Sequence, residues 1–127
     1  VTYDVPSLID ALNAATARGV AIGILLEAST SDGGSLPVNH VAALRRCVPS
    51  ATFFVWTDRP APFAEGKVHA KVAVADSHQA FLTSANLTGH ALEKNIEAGV
   101  VISGGKIPAD LRSHLQALID TNIIRPA

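Results

Sequence analysis

The stretch KVHAKVAVAD, residues 67–76, combines the alternation of a β-strand with several charged side chains. Successive side chains of a strand point to opposite faces of a sheet. One face of this stretch then carries Lys67, His69 and Lys71. The alternate residues from Val68 to Val74 form an apolar face that packs on the core. The stretch therefore predicts a strand with one packing face and one chemically active face.

Strand patterns alternate with helix patterns along the rest of the chain. Apolar runs such as VAIGILLE (20–27) have the near-continuous hydrophobic character of strands buried on both faces. Strands alternating with helices are typical of α/β layered folds, and the short link between strands 68–75 and 79–83 makes that pair antiparallel. We therefore predict an α/β fold with a layered, mixed β-sheet flanked by helices on both faces. The predicted helices cover residues 8–18, 38–47, 88–94 and a stretch that begins at Pro108.

Composition limits the class of protein and its setting. A chain of 127 residues with 48% hydrophobic residues is long enough for one domain over residues 1–127 with its own core. The net charge of -1 argues against a uniformly basic surface. A single cysteine, Cys47, excludes an internal disulfide, and no apolar run approaches the length of about 20 residues that spans a bilayer. We expect a cytoplasmic protein without a membrane span.

A hairpin between strands 68–75 and 79–83 would bring polar side chains together. Counting outward from a two-residue loop at 77–78 places Lys71 opposite Ser84. The same register places His69 opposite Asn86. Directly opposed side chains lie within about 5.5 Å of each other, so these four could contact one small anionic group. A register shifted by one residue would turn one polar set to the other face.

Two acidic residues near this group have different expected roles. In a regular strand Asp76 points to the opposite face from His69. We therefore predict a structural role, in which the Asp76 carboxylate accepts hydrogen bonds from backbone amides of the turn. Glu97 lies in the apolar strand IEAGVVIS and needs a partner, for which His69 is the candidate. A metal site formed by His69, Asp76 and His78 is disfavoured, because His69 and His78 would point to opposite faces of the strand. We therefore expect no metal site at these three residues.

Three segments resemble the phospholipase D superfamily. HAKVAVAD (69–76) is similar to its His-x-Lys motif followed after four residues by Asp. TSANLT (83–88) stands where that family has Gly-Ser-x-Asn, and NIEAGV (95–100) resembles its Asn-x-Glu-x-Gly strand. ALNAATARGVAIGILLE (11–27) also resembles the family's helix and second strand, so the resemblance covers most of the chain. Gly89-His90 replaces an Arg-Ser pair found in many members, which weakens a lipid-synthase assignment.

The resemblance implies a metal-independent phosphodiesterase with a phosphohistidine intermediate. Under it, His69 is the nucleophile or the general acid. Lys71 and Asn86 bind the phosphate oxygens, assisted by Ser84. Glu97 orients His69. Imidazole titrates near neutral pH and can serve in either role, and a lysine stabilises charge on phosphoryl oxygens.

The family mechanism uses two such motifs, whereas this sequence contains one. A symmetric homodimer could supply the second, as in the small bacterial nucleases of the family. Alternatively, the second motif lies upstream in a longer chain. The start at Val1 favours an excised C-terminal half. These two possibilities remain open from the sequence.

The expected substrate is nucleic acid, DNA or RNA. Lys67 extends the positive row of side chains, as a polyanion path requires, and no membrane-binding helix or signal peptide is present in the sequence. The chain also resembles phospholipase D-like proteins encoded with bacterial antiphage systems such as DISARM. One alternative is a phospholipid phosphodiesterase or transphosphatidylase. Another is a noncatalytic dimerisation or nucleic-acid-binding module.

Overall fold

The computed structural model describes residues 5–86 and 94–127. They fall into two compact units. The first unit is the described part of Val1–His69 together with Ile123–Ala127, and the second unit is the described part of Ala70–Asn122. The helix predicted at 88–94 and the Gly89-His90 pair lie, apart from Lys94, outside the described residues. Within those residues, no helix is both long and apolar enough to cross a membrane.

The first unit contains a three-stranded mixed sheet with two helices. The elements are α1 (Pro6–Ala17), β1 (Gly23–Leu25), α2 (His40–Cys47), β2 (Thr52–Val55) and β6 (Arg125–Pro126). Strand β1 runs parallel to β2, and β2 pairs antiparallel with β6, in the order β1-β2-β6. Helix α2 is capped by Asn39, whose side chain accepts a hydrogen bond of 2.9 Å from the amide of Ala42.

The core of the first unit lies between α2 and the sheet. Val41 and Leu44 are three residues apart in α2 and therefore lie on one face of the helix. They form one buried cluster with Val48 and with Phe53 of β2. Partly buried side chains of α1 and β1 pack against this cluster. Burial of this apolar cluster is the main favourable contribution to the stability of the unit.

Replacing Phe53 by alanine should strongly destabilise the protein. Its side chain is 3% exposed, so the change removes buried apolar surface and leaves a cavity. The expected loss in the free energy of unfolding is about 3–5 kcal/mol, measured by urea denaturation. Phe63 is the matched control because it is 55% exposed, and Phe63→Ala should cost less than about 1 kcal/mol. Equal losses in the two variants would contradict this assignment of the core.

The second unit contains β3 (Val72–Ala75), β4 (Gln79–Thr83), β5 (Gly99–Ser103) and helix α3 (Ile107–Asp120). The strands form an antiparallel sheet in the order β3-β4-β5, and α3 packs against all three. The α/β class and the antiparallel pairing of the strands predicted at 68–75 and 79–83 are confirmed. Val72 and Val74 are half-buried while Ala73 and Ala75 are exposed, which confirms the predicted packing face within β3. Ala70, predicted on the same face, is exposed and precedes the strand.

Two predicted strands are shorter than expected. The strand predicted from residue 68 begins at Val72, so Lys67, His69 and Lys71 precede β3. The amide of Val68 donates to a carboxylate of another segment instead of to a neighbouring strand. The last strand begins at Gly99, so Glu97 precedes β5.

The turn between β3 and β4 differs from the predicted two-residue loop. Asp76 and Ser77 have φ of 54° and 55°, and the amide of His78 donates to the carbonyl of Ala75 at 3.0 Å. Positive φ at both central positions is the signature of a type I′ turn. His78 is an additional residue, since Ala75 pairs with Gln79. The loop therefore has three residues.

This turn shifts the predicted register by one residue. The carbonyl of Lys71 accepts a hydrogen bond of 3.1 Å from the amide of Thr83, so the predicted opposition of Lys71 and Ser84 is wrong. The opposition of His69 and Asn86 was counted in the same register. It is also wrong as a strand pairing, because both residues lie outside β3 and β4.

Candidate functional site

Ser84 and Glu97 form a hydrogen-bonded cluster where β4 ends and β5 begins. The Ser84 hydroxyl donates to Oε2 of Glu97, and Nδ2 of Asn95 donates to Oε1 at 3.2 Å. The amide of Ala98 donates to Oγ of Ser84 at 3.1 Å, and the amide of Ser84 donates to the carbonyl of Ala98 at 3.0 Å. Ser84 is thereby fixed to the segment that carries Glu97.

The Glu97 carboxylate is held in its charged form. The hydrogen bond from Ser84 lowers the pKa of Glu97 most, and the one from Asn95 lowers it further. These contributions outweigh a smaller opposing effect of desolvation, and the positive charge of Lys71 also favours the carboxylate. Lys71, which is half-buried, therefore lies within electrostatic range of Glu97. The structure thus brings together three of the predicted site residues: Lys71, Ser84 and Glu97.

Ser84→Ala should raise the pKa of Glu97 toward that of an ordinary glutamate. The change removes the hydrogen bond that contributes most to the lowered pKa. Because this pKa is depressed in the folded protein, the associated stability is present above the ordinary glutamate pKa. It is lost as the pH falls through the folded value. A carboxyl ¹³C NMR titration of Glu97 measures the shift.

Asn95→Ala provides a graded comparison for the same titration. Asn95 contributes the second-largest lowering of the Glu97 pKa, so its variant should produce a smaller rise than Ser84→Ala. A titration of Glu97 that is the same in wild type and Ser84→Ala would contradict the cluster described here.

The other predicted site residues are His69, Asp76 and Asn86, which lie in the same part of the sequence. His69 is exposed and is the last residue of the continuous part of the first unit. Asn86 is exposed and lies three residues beyond β4. Asp76 is exposed at the first central position of the turn, and its structural role remains a prediction. The described hydrogen bonds of Glu97 are those to Ser84 and Asn95, and its action on His69 also remains a prediction.

The sequence reasoning missed a buried ion pair in the first unit. Nη2 of Arg59 donates to Oε1 and Oε2 of Glu27 at 2.8 and 2.9 Å, and the two side chains are 8% and 7% exposed. Arg59 also donates to the carbonyl of Trp56 at 2.6 Å and lies 4.9 Å from the centre of its ring. The available signal was the acid that ends the apolar run VAIGILLE. Its partners are too distant in sequence to be inferred from spacing.

Glu27 also fixes two backbone segments. Its Oε1 accepts from the amide of Ser35 at 2.9 Å, and its Oε2 accepts from the amide of Val68 at 2.8 Å. Burial acts to raise the pKa of Glu27, but the bonds from Val68, Arg59 and Ser35 outweigh it and hold the pKa below its usual range. The carboxylate therefore remains charged in a buried position.

A surface cavity of about 360 Å³ lies beside this ion pair in the first unit. Arg59 and Lys67 contribute cationic side chains to its wall, and Glu65 contributes an anionic one. Across residues 5–86 and 94–127, no three side chains of the metal-ligating types come together. The cavity lining is Gly33, Gly34, Ser35, Thr57, Arg59, Ala64, Glu65, Gly66 and Lys67.

An α/β fold with His-x-Lys before a hairpin and a serine–glutamate cluster after it defines the phospholipase D superfamily as the class of this protein. Within that superfamily, the chain belongs to the family described as cardiolipin synthase, PLD-like domain, whose model matches residues 1–119. No curated protein matches the chain significantly.

Two solved structures share the fold. One is Nuc from Salmonella typhimurium, a phospholipase D family member, with a TM-score of 0.73 and 26% identity. The match covers 99% of this chain and 76% of that one. The other is NucT from Helicobacter pylori, with a TM-score of 0.68, 18% identity, and coverage of 94% and 74%. At that identity the second match supports the fold alone.

Proposed function

We propose that the chain is a metal-independent phosphodiesterase that acts on nucleic acid through a phosphohistidine at His69. The observation that carries the proposal is the hydrogen-bonded cluster of Ser84 and a charged Glu97, which follows His69 and Lys71 in a chain of the phospholipase D superfamily. The positive charge of Lys71 favours the Glu97 carboxylate. A cation and a nucleophile of suitable chemistry are what phosphoryl transfer requires.

Each residue has a defined role in this proposal. A ring nitrogen of His69 attacks phosphorus, and its new bond replaces the phosphorus–oxygen bond of the leaving group. The histidine of a second motif protonates that oxygen, after which water hydrolyses the phosphohistidine and regenerates His69. Lys71 and Asn86 bind the phosphoryl oxygens, Ser84 fixes Glu97, and Glu97 orients His69.

The second motif comes from another copy of the chain or from an upstream half of a longer protein. If two copies form the site, specific activity should rise with protein concentration through the dissociation constant of the dimer. Parallel sedimentation velocity runs locate that constant. Activity that stays constant while the chain is monomeric would contradict the two-copy arrangement.

Nucleic acid is the favoured substrate because Lys67 adds an exposed cation to the stretch that carries His69 and Lys71. A bacterial antiphage role is the biological setting that this proposal favours. The description of the matched family names cardiolipin synthase, so phospholipid is the second candidate substrate.

The direct test is cleavage of single-stranded DNA, double-stranded DNA and RNA in the presence of EDTA. Phospholipid vesicles form a parallel arm. Cleavage of a nucleic acid in EDTA supports the proposal. Turnover of the phospholipid vesicles alone would show that the substrate is phospholipid and not nucleic acid. Binding of nucleic acid by a verified dimer without cleavage would show a noncatalytic module and overturn the proposal.

A further inference from the structure

We propose that Glu27 is a positioning residue for His69, an inference that rests on the proposed function. Glu27 lies two residues beyond β1, and its Oε2 accepts a hydrogen bond of 2.8 Å from the amide of Val68. Val68 directly precedes the nucleophile in the sequence. The carboxylate thereby holds the backbone from which the His69 side chain projects.

This hydrogen bond holds a part of the motif that precedes β3. β3 begins at Val72, so the backbone of Val68 lies outside the ladder of β3 and β4. Val68 is half-buried, and a charged carboxylate is a strong acceptor for its amide. The hydrogen bond from Val68 to Glu27 therefore holds this part of the backbone in place, as pairing with β4 does for β3.

The carboxylate itself is held firmly by its other contacts. Oε1 accepts from the amide of Ser35, and Nη2 of Arg59 contacts both oxygens. Arg59 is in turn fixed by the carbonyl and the ring of Trp56. Because four donor contacts converge on a buried carboxylate, its position is fixed relative to the residues around it. A displacement of a nucleophile by about 1 Å can cost about 100-fold in rate.

The test compares two variants that both lose the ion pair but differ in whether the acceptor for the Val68 amide remains. Arg59→Met breaks the ion pair but leaves Glu27 as the acceptor for Val68, so a buried charge loses its partner. The double variant Glu27→Leu/Arg59→Met removes both charges and the acceptor. The double variant avoids the unpaired buried charge of Arg59→Met, but it also removes the acceptor for the amides of Ser35 and Val68.

Positioning predicts that the kcat of the double variant is about 10–100-fold lower than that of Arg59→Met, at a temperature at which circular dichroism shows both variants to be folded. KM should differ by less than about threefold between the two, because the proposed phosphate-binding residues are unchanged. Equal kcat values in the two folded variants would overturn the proposal and leave a purely structural ion pair.

A second measurement does not depend on activity. Hydrogen exchange of the Val68 amide, followed by NMR, should be at least about 10-fold faster in the double variant than in wild type. Amides in the buried core of the first unit, such as that of Phe53, serve as the internal control. Unchanged protection of Val68 would overturn the positioning role even if Arg59→Met does not fold. Faster exchange in a protein that cleaves no substrate would support the role while the proposed function fails.

Discussion

His69→Ala is expected to reduce phosphodiester cleavage in EDTA by about 10³-fold or more. In the proposed mechanism the imidazole supplies the atom that bonds to phosphorus, and alanine has no group that can replace it. The loss should appear in kcat, with little change in nucleic acid binding, since the phosphate-binding residues remain. Initial rates with a short labelled oligonucleotide and binding by fluorescence anisotropy measure the two effects separately.

His114→Ala is the matched control for this variant. His114 is an exposed residue of α3, outside the proposed machinery, and its replacement should leave kcat within about twofold of wild type. Comparable losses in the two histidine variants, or full activity in His69→Ala, would contradict the assignment of His69.

Lys71→Met should lower kcat by about 10²–10³-fold. Methionine keeps most of the apolar stem of lysine but removes the ammonium group, which in the proposed mechanism stabilises charge on the phosphoryl oxygens. The variant should also raise the pKa of Glu97, because the positive charge of Lys71 favours the charged carboxylate. The first effect is measured by kinetics and the second by carboxyl ¹³C titration.

Lys106→Met controls for the loss of a positive charge. Lys106 is 86% exposed and pairs with Asp110 at 3.2 Å on the surface of the second unit. Exposed pairs of this kind contribute little, so both kcat and the Glu97 titration should remain unchanged. An active Lys71→Met protein with an unaltered Glu97 pKa would show that Lys71 belongs to neither the phosphate site nor the cluster.

Much of the fold could be predicted from local pattern. The alternation through Val72 and Val74 gave the packing face because a strand repeats every two residues. The register could not be obtained in this way, since it depends on the conformations of Asp76 and Ser77. Neither residue is glycine, so the two successive positive φ values were not evident from residue type. This register joins β3 and β4, which belong to one of the two three-stranded sheets of the described residues.

The candidate site was predictable to the extent that it follows short motifs. Ser84 and Glu97 were identified from two separate motif elements, and the structure joins them through a hydrogen bond. Glu27 was missed because its partners lie 8, 32 and 41 residues away and include two backbone amides. Backbone donors have no signature in a sequence. A buried acid at the end of an apolar strand is the feature that should prompt a search for such partners.

The central claim is that His69 becomes covalently phosphorylated during turnover. Rapid mixing with a short phosphodiester, alkaline quenching and peptide mass spectrometry should find a phosphoryl adduct on the peptide that contains His69. The adduct should be absent from His69→Ala. Turnover by wild type without any adduct at His69, or with the adduct at a different residue, would contradict the account.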